Sequence, residues 1–530
     1  MIEVTSIKDT AYLIKLNKAQ ILVECPLDLK PLLKYSPASL TNLSPPIEYS
    51  CGWLDEVNFA EVDLVLISNS TLLGALPYIN SSFRGKVLMT EPIAQLGTCV
   101  CKELIEYDQE FRRVCPQEGN MYTEEQLKTI WNHVVSLSYN QTYSLREIDI
   151  AAVPSGHSLG SANWLINWGD LKISIISQSC KDEDRYPKPF DSSVYHSDII
   201  VFTPQVLPVY ERKPPKKLYE SILETCRSLS YQSCLLVPVQ SWQLLDLESH
   251  IISAATVFNL PVLCMSPAGR AFLSYAAGSP QWLHPKLTAR AFTPRNCFMF
   301  EKARENGTLK VFDNLQEGFG AHLQSPSLVL LGHSSLRLGE ADYVVTRLAR
   351  KGGLHNLLIV DSEFGEEALK PFEDKGVMNH YIVRKECTKV ELTVEEIKQG
   401  ICESTAHTIV MSDKFRGTMD FKAHYITEGE KLTLPKKPNK YCIKGYCQDS
   451  GPLIGRIKFL NYKYTGYFQN RAEALKEKLS QQGYEAICKH YQSKSELSVL
   501  GGVITFKGKN LFVKAKTTEV RKALLNFLNI

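Results

Sequence analysis

Short apolar runs, many of them β-branched or alternating with polar residues, dominate the first part of the chain and predict a sheet-rich region. Two of these runs, Ala11–Leu16 and residues 21–24, flank Asn17-Lys18 and predict a hairpin. Another run, residues 62–67, stops abruptly at the polar residues 68–71, which predicts a buried strand ending in a loop where α/β proteins often keep their chemistry. The same pattern predicts strands at residues 85–90, 148–153, 164–168, 171–176 and 198–202.

Helical periodicity appears first after Thr123, where Thr-Glu-Glu-Gln fits a capping box and predicts a helix through Leu137. Beyond residue 204, helical periods alternate with short apolar runs, which predicts a parallel sheet with crossover helices inserted into the first domain. A helix at residues 394–401 and a strand at 407–411 are predicted to close that first domain. In the insertion, helices are predicted at residues 218–229, 244–257, 268–277 and 340–350, and strands at 235–239, 261–265, 328–331 and 356–361.

These patterns divide the chain into five segments. The predicted segments are the first domain at residues 1–204, the insertion at 205–365, a return segment at 366–420, a linker at 421–452 and a C-terminal module at 453–530. The module is predicted to contain a helix at 471–482, a hairpin around residues 507–510 and a terminal helix at 519–528. That last helix is apolar on more than one face, which favours burial against a partner or within its own domain. The candidate partner-binding residues are Val520, Leu524, Leu525, Phe527 and Leu528.

The charge of the chain is nearly balanced at +3, but it is unevenly distributed. From Leu453 to the C-terminus there are 14 Lys/Arg and 5 Asp/Glu, a net +9, so the remainder (46 against 52) carries −6. A basic module on a slightly acidic body favours an acidic partner or nucleic acid for the module. Lysines that only cover a solvated surface are the equally simple interpretation.

Residue types that hold metals are sparse. The loop 68–71 (Ser-Asn-Ser-Thr) has no histidine, carboxylate or cysteine, and the 12 histidines are never closer in sequence than His322 and His333. The 15 cysteines are odd in number and mostly without regular spacing, which is typical of reduced thiols in an intracellular protein. A lone histidine, His157, lies in the Gly/Ser loop between residues 153 and 163.

Four blocks of sequence in this order resemble the metallo-β-lactamase/β-CASP nucleases of RNA 3′-end processing. They are residues 65–78 (with Leu-Gly-Ala-Leu-Pro-Tyr), 88–97 (Leu-Met-Thr-Glu-Pro-Ile-Ala-Gln-Leu-Gly), 155–164 (Ser-Gly-His-Ser-Leu-Gly-Ser-Ala-Asn-Trp) and 330–339 (Leu-Leu-Gly-His-Ser-Ser-Leu-Arg-Leu-Gly). The resemblance implies an α/β fold: a metallo-β-lactamase αββα sandwich with an inserted β-CASP α/β domain and a small α+β C-terminal dimerisation domain.

An active member of this family uses two zinc ions to activate water and to stabilise charge during phosphodiester cleavage. The resemblance places Asn69 and Thr71 where the family's His-x-His-x-Asp-His motif has histidines, in a segment two residues shorter. Of the other ligand positions, His157 is kept and Glu24 is a partial substitute. The remaining positions are occupied by Gln178, Thr203 and Ser412. The resemblance therefore implies a non-catalytic member with no cofactor.

Non-catalytic members of this family act as scaffolds. One kind is a subunit of the nuclear Integrator complex. The other is the 100-kilodalton subunit of the cleavage and polyadenylation factor. The contracted loop at Asn69 and the compact length favour the first, which implies pairing with that complex's active nuclease subunit through the C-terminal domains. The resemblance also implies roles in small nuclear RNA 3′-end processing and in attenuating transcription by RNA polymerase II. The alternative from another class is a divergent zinc nuclease that uses Glu24, His157 and unfamiliar ligands.

Overall fold

The structure is a computed structural model, and it forms two compact units, residues 1–435 and 436–530. It describes residues 2–8, 10–40, 49, 51–114, 121–204, 215–291, 298–360, 364–386, 390–419, 421–435, 441–447, 451–457, 475–477, 479–480, 485–490, 495–499, 502–507 and 510–514.

The first unit opens with a region rich in strands. Its elements are β1 Ile2–Lys8, β2 Ala11–Leu16, β3 Ala19–Val23, β4 Leu64–Leu66, β5 Lys86–Thr90, α1 Glu91–Val114, α2 Glu124–Trp131, β6 Val134–Leu137, β7 Thr142–Leu145, β8 Ile148–Pro154, β9 Ala162–Trp168, β10 Leu171–Ile176 and β11 Ile199–Phe202.

The inserted region then alternates helices and strands. It contains α3 Pro215–Ser228, β12 Cys234–Pro238, α4 Leu244–Phe258, β13 Val262–Met265, α5 Gly269–Gly278, α6 Pro285–Ala291, α7 Met299–Glu305, β14 Leu309–Phe312, α8 Phe319–His322, β15 Ser327–Leu331, α9 Ala341–Lys351, β16 His355–Ile359, α10 Lys370–Asp374 and β17 Tyr381–Lys385. The return segment supplies α11 Val394–Cys402, β18 Thr408–Ser412, β19 His424–Ile426 and β20 Lys431–Leu434.

Two seven-stranded sheets face each other in the first domain and confirm the predicted fold class. Their strand orders are β20-β1-β2-β3-β4-β5-β6 and β19-β18-β11-β10-β9-β8-β7. Inward-facing side chains such as Ile21, Trp164 and Val201 form one fully buried cluster between the sheets. Helices α1 and α2 cover the outer face of the first sheet, and α11 covers that of the second, which gives the αββα layering.

The insertion is a six-stranded, wholly parallel sheet in the order β14-β13-β15-β12-β16-β17. The four inner strands, β13, β15, β12 and β16, are buried along their length because helices cover both faces, as parallel sheets require, whereas the edge strands β14 and β17 are partly exposed. The predicted end of the insertion at residue 365 is too early, since β17 pairs with β16 from Tyr381 to Lys385.

Two further expectations differ from the structure. The helix that begins with the Thr123 capping box ends at Trp131, and Val134–Leu137 is a strand that pairs in parallel with β5. The β-branched pair Val134-Val135 suits a strand, and its alignment with Val87 and Leu88 outweighs the helical spacing. The predicted linker begins too early as well, since β19 and β20 are strands of the two sheets.

The second unit is described by itself. It contains a hairpin of β21 Tyr441–Cys447 and β22 Gly451–Ile457, and an antiparallel meander of β23 Ala486–His490, β24 Ser495–Val499, β25 Gly502–Lys507 and β26 Asn510–Lys514. The hairpin expected around residues 507–510 is present. The predicted terminal helix, with Val520, Leu524, Leu525, Phe527 and Leu528, lies outside the described residues. Within the described ranges, none of the helices combines the length and apolar character that crossing a membrane requires.

Candidate functional site

The side chains that the resemblance assigns to metal ligation lie at six places in the first domain, each at the end of a strand or in a loop. We call this set the strand-end site: Glu24, Asn69, Thr71, His157, Gln178, Thr203 and Ser412. Glu24 follows β3, and residues 69 and 71 follow β4, which runs parallel to β3. Gln178 and Thr203 follow the parallel pair β10 and β11, so their side chains emerge at one edge of the second sheet. The two edges meet where Ala162 N donates to Ser68 O at 2.8 Å.

Glu24 is completely buried and bridges the two sheets. Its Oε2 accepts a hydrogen bond from Ser68 N at 3.1 Å, and its Oε1 accepts one from Ser177 Oγ at 2.9 Å. Burial raises the pKa of Glu24 to about 7, although the hydrogen bonds from Ser68 and Ser177 act in the opposite direction. Near neutral pH this carboxyl is therefore partly protonated, and its two hydrogen bonds tie the loops of the two sheets together.

Asn69, Thr71 and Gln178 bond to one another. Asn69 Nδ2 donates to Gln178 Oε1 at 2.8 Å, while Asn69 Oδ1 accepts from Thr71 N at 2.9 Å and from Thr71 Oγ1 at 2.6 Å. These amides and the hydroxyl are neutral, and they hydrogen-bond to one another across the gap between the sheets. The loop 69–71 is thus bonded within itself and to the loop after β10, at positions that the resemblance assigns to metal ligands.

His157 is buried, and its ring stacks on the indole of Trp242 with centroids 5.2 Å apart and planes 30° apart. Its Nδ1 has no hydrogen-bond partner among the described residues. Burial lowers the pKa of His157 to about 3, and the positive charge of Arg185 lowers it further. The ring is therefore neutral at physiological pH and packs as an aromatic side chain.

The remaining two positions have structural surroundings. Thr203 is completely buried, its backbone N donates to Ile176 O at 3.0 Å, and its Oγ1 has no partner in the described part of the chain. Ser412 ends β18, and its Oγ accepts from Lys414 N at 3.4 Å as the cap of a short 3₁₀ helix. Neither hydroxyl is a usual ligand for zinc.

The donor set does not fit a two-zinc centre. Such a centre needs several imidazole nitrogens and carboxylate oxygens that converge. At the strand-end site only Glu24 and His157 are of those types, and both Glu24 oxygens already accept hydrogen bonds from the protein. Across the residues that the structure describes, no three His, Cys, Asp or Glu side chains are grouped as a metal would require.

Three residues that complete the site are not singled out by the sequence. Ser177 supplies the hydroxyl that Glu24 accepts. Asn163 Oδ1 accepts from Ser177 N at 2.9 Å and from Ser179 Oγ at 3.0 Å, which fixes the loop after β10. Trp242 belongs to the inserted domain, 85 positions beyond its stacking partner, and no local pattern indicates that contact.

Comparisons with known proteins agree with this architecture. A family model described as a metallo-beta-lactamase superfamily domain matches residues 41–186. The chain is 25% identical over 371 residues to the Integrator complex subunit 9 homolog of Dictyostelium discoideum, a match that covers 60% of this chain and 51% of that protein. It is 23% identical over 425 residues to Integrator complex subunit 9 of Homo sapiens, covering 68% and 64%.

A shorter match joins the chain to a protein named as a nuclease. It is 29% identical over 138 residues to endoribonuclease ysh-1 of Neurospora crassa, covering 25% of this chain and 16% of that one. The matches to the two subunit 9 proteins span from about half to about two thirds of the length of those relatives.

Proposed function

We propose that this chain, which contains a metallo-beta-lactamase superfamily domain and is a relative of Integrator complex subunit 9, is a non-catalytic subunit of a nuclear Integrator complex. Its role is to hold an active nuclease of the same family, the complex's subunit 11, in a heterodimer formed through the C-terminal domains. Together with subunit 4 the pair forms a cleavage module for small nuclear RNA 3′-end processing and for attenuation of transcription by RNA polymerase II.

The observation that carries the non-catalytic part of this proposal is the closed set of hydrogen bonds among Asn69, Thr71 and Gln178. A hydrolytic metal centre needs an open ligand position and several imidazole or carboxylate side chains that are free to bind the metal. Here those positions hold neutral groups that bond to each other, and the one carboxyl, Glu24, has a raised pKa. These features support a pseudoenzyme in which the strand-end site joins two sheets.

Metal content and cleavage activity of the purified full chain test this directly. We expect well below one zinc ion per chain by inductively coupled plasma mass spectrometry after desalting, and no cleavage of a single-stranded RNA with zinc added. An active nuclease of the same family, purified in parallel, controls for metal lost during preparation. Two zinc ions per chain, or zinc-dependent cleavage by this chain alone, would favour the divergent nuclease, with Glu24 and His157 as ligands.

Removal of residues 520–530 is expected to abolish co-purification with the nuclease partner, because the apolar residues of this segment are proposed to lie in the heterodimer interface. The measurement is a tandem-affinity pull-down from nuclear extract followed by mass spectrometry. Tyr231→Ala is the matched control, since this side chain is 91% exposed in the other unit and its loss is expected to leave pairing intact. Full pairing of the truncated chain would refute the interface.

The net charge of +9 beyond residue 453 adds a second readout. If that charge faces an acidic partner module, raising the salt concentration is expected to weaken the pairing, because screening shortens the range of the attraction.

The same pull-down distinguishes the two inactive subunits of the family. Recovery of cleavage and polyadenylation factor components in place of Integrator subunits would assign the chain to the 100-kilodalton type.

A further inference from the structure

Trp242 is the inserted domain's contact with the loop that carries His157. It lies in the turn at Ser241–Gln243, between β12 and α4. Its indole stacks on the imidazole of His157, which is 4% exposed. The side chain of one domain thus covers the kept histidine of the other.

An ion pair beside this stack joins the same two domains. Arg185 Nη2 donates to Asp246 Oδ1 at 2.7 Å and to Oδ2 at 2.8 Å, and Arg185 Nε donates to Oδ1 at 3.0 Å. The side chains are 10% and 12% exposed, so the pair is largely withdrawn from water. Arg185 Nη1 also donates to Gly156 O at 2.7 Å. One guanidinium therefore connects α4 to the residue that precedes His157.

The loop itself has little freedom to move away from these contacts. Gly156 has φ +71°, and a Cβ at this position would lie 2.1 Å from Cys180 O. Cys180 N in turn donates to Ser155 O at 2.9 Å. The backbone on either side of Gly156 is therefore packed tightly against the loop that follows β10, which restricts movement of the loop that carries His157.

The turn that carries Trp242 is held from its other side as well. Glu103 on α1 is buried, and it accepts hydrogen bonds from Ser241 Oγ, from Ser266 Oγ at 2.6 Å and from Ala268 N at 3.1 Å. Tyr107 OH donates to the same carboxylate at 3.2 Å. A carboxylate of the first domain thus fixes the residue next to Trp242 and the start of α5 in the inserted domain.

We propose that Trp242, Asp246 and Arg185 form a closed latch between the two domains, which shuts the His157 side of the strand-end site against small solutes and therefore against a strand of RNA. Separating the domains exposes the stacked rings and leaves the guanidinium and carboxylate without each other, so the closed state is favoured. The latch is a property of residues 1–435 and does not depend on the partner or on membership of a complex.

Histidine modification of the full-length chain by diethyl pyrocarbonate, with the modified peptides quantified by mass spectrometry, tests the latch. The reagent attacks neutral imidazole, and the lowered pKa of His157 keeps its ring neutral at pH 7, so protection reports access. The exposed residues His196 and His407 serve as internal references. In the protein without substitutions, we expect His157 to react at least about tenfold more slowly than His196 and His407, because its ring is buried under the indole.

Trp242→Ala and Asp246→Asn are expected to raise the reactivity of His157 and to leave His196 and His407 unchanged. Trp242→Phe retains a stacking ring and is expected to preserve most of the protection, while Tyr231→Ala controls for loss of an exposed aromatic side chain. If His157 in the protein without substitutions reacts as fast as His196, the cleft is open. Full protection in a Trp242→Ala/Asp246→Asn double variant would show that the latch does not hold it shut.

Discussion

Replacing Asp246 by alanine is expected to lower the free energy of unfolding of the first unit by about 3–5 kcal/mol, since it leaves the Arg185 guanidinium buried without its counter-ion. The carboxylate of Asp246 provides three of the four short contacts of that guanidinium, and burial alone would lower the arginine pKa. Urea denaturation followed by fluorescence or circular dichroism measures the loss.

A surface pair supplies the matched control for this substitution. Arg270 Nε donates to Asp313 Oδ1 at 3.1 Å, but these side chains are 50% and 39% exposed. Asp313→Ala is expected to cost at most about 1 kcal/mol. An Asp246→Leu/Arg185→Met double variant is expected to recover much of the loss, because it removes both buried charges. A cost for Asp246→Ala no larger than for Asp313→Ala would mean that the Arg185–Asp246 pair is open to water in solution.

Glu24→Gln is expected to remove a strong pH dependence of stability. Burial raises the folded pKa of Glu24 from its ordinary 4.5 to about 7, so the folded chain holds this proton more tightly than the unfolded chain. The associated stability is fully present below pH 4.5, and it is lost as the pH rises through 7. A difference of roughly 2.5 pKa units corresponds to about 3 kcal/mol. The measurement is the free energy of unfolding of both proteins from pH 4.5 to pH 8.

The difference between the two proteins isolates Glu24 from other buried groups. Burial raises the pKa of Glu248 to about 7, so its contribution to the free energy of unfolding is lost over the same pH range in both proteins. His157, whose pKa is lowered, acts in the opposite sense, since its contribution is present above pH 6.5 and is lost as the pH falls. Glu56→Gln, at an exposed position, controls for removal of a carboxylate. Parallel pH curves for the parent and Glu24→Gln would contradict the raised pKa.

The sequence predicts those parts of the fold in which local pattern and tertiary packing agree. The hairpin of Ala11–Leu16 with Ala19–Val23 follows from alternation and a short polar turn. The Thr123 capping box forms because its two hydrogen bonds lie within one turn of chain. Prediction is wrong at Val134–Leu137, where pairing with a strand 47 positions away decides the conformation.

The site divides in the same way. The absence of ligand side chains from residues 69–71 is visible in the sequence itself. Asn69 bonds to Gln178, 109 positions away, and Trp242 covers His157. Both contacts depend on how distant segments pack together, and no local spacing in the sequence encodes them. The contacts that join these residues are therefore harder to predict than the lack of histidine and carboxylate side chains at residues 69–71.

The pairing of β1 with β20 joins the first and last strands of a unit of about 435 residues, with Ile2 opposite Leu434 and Thr5 opposite Lys431. On the ribosome, the first sheet remains incomplete until the inserted domain and the return segment have been synthesised. At about 5–20 residues per second this leaves an edge strand waiting for tens of seconds. During that time one edge of β1 presents unpaired N–H and C=O groups, which expose this strand to mispairing with other strands during synthesis.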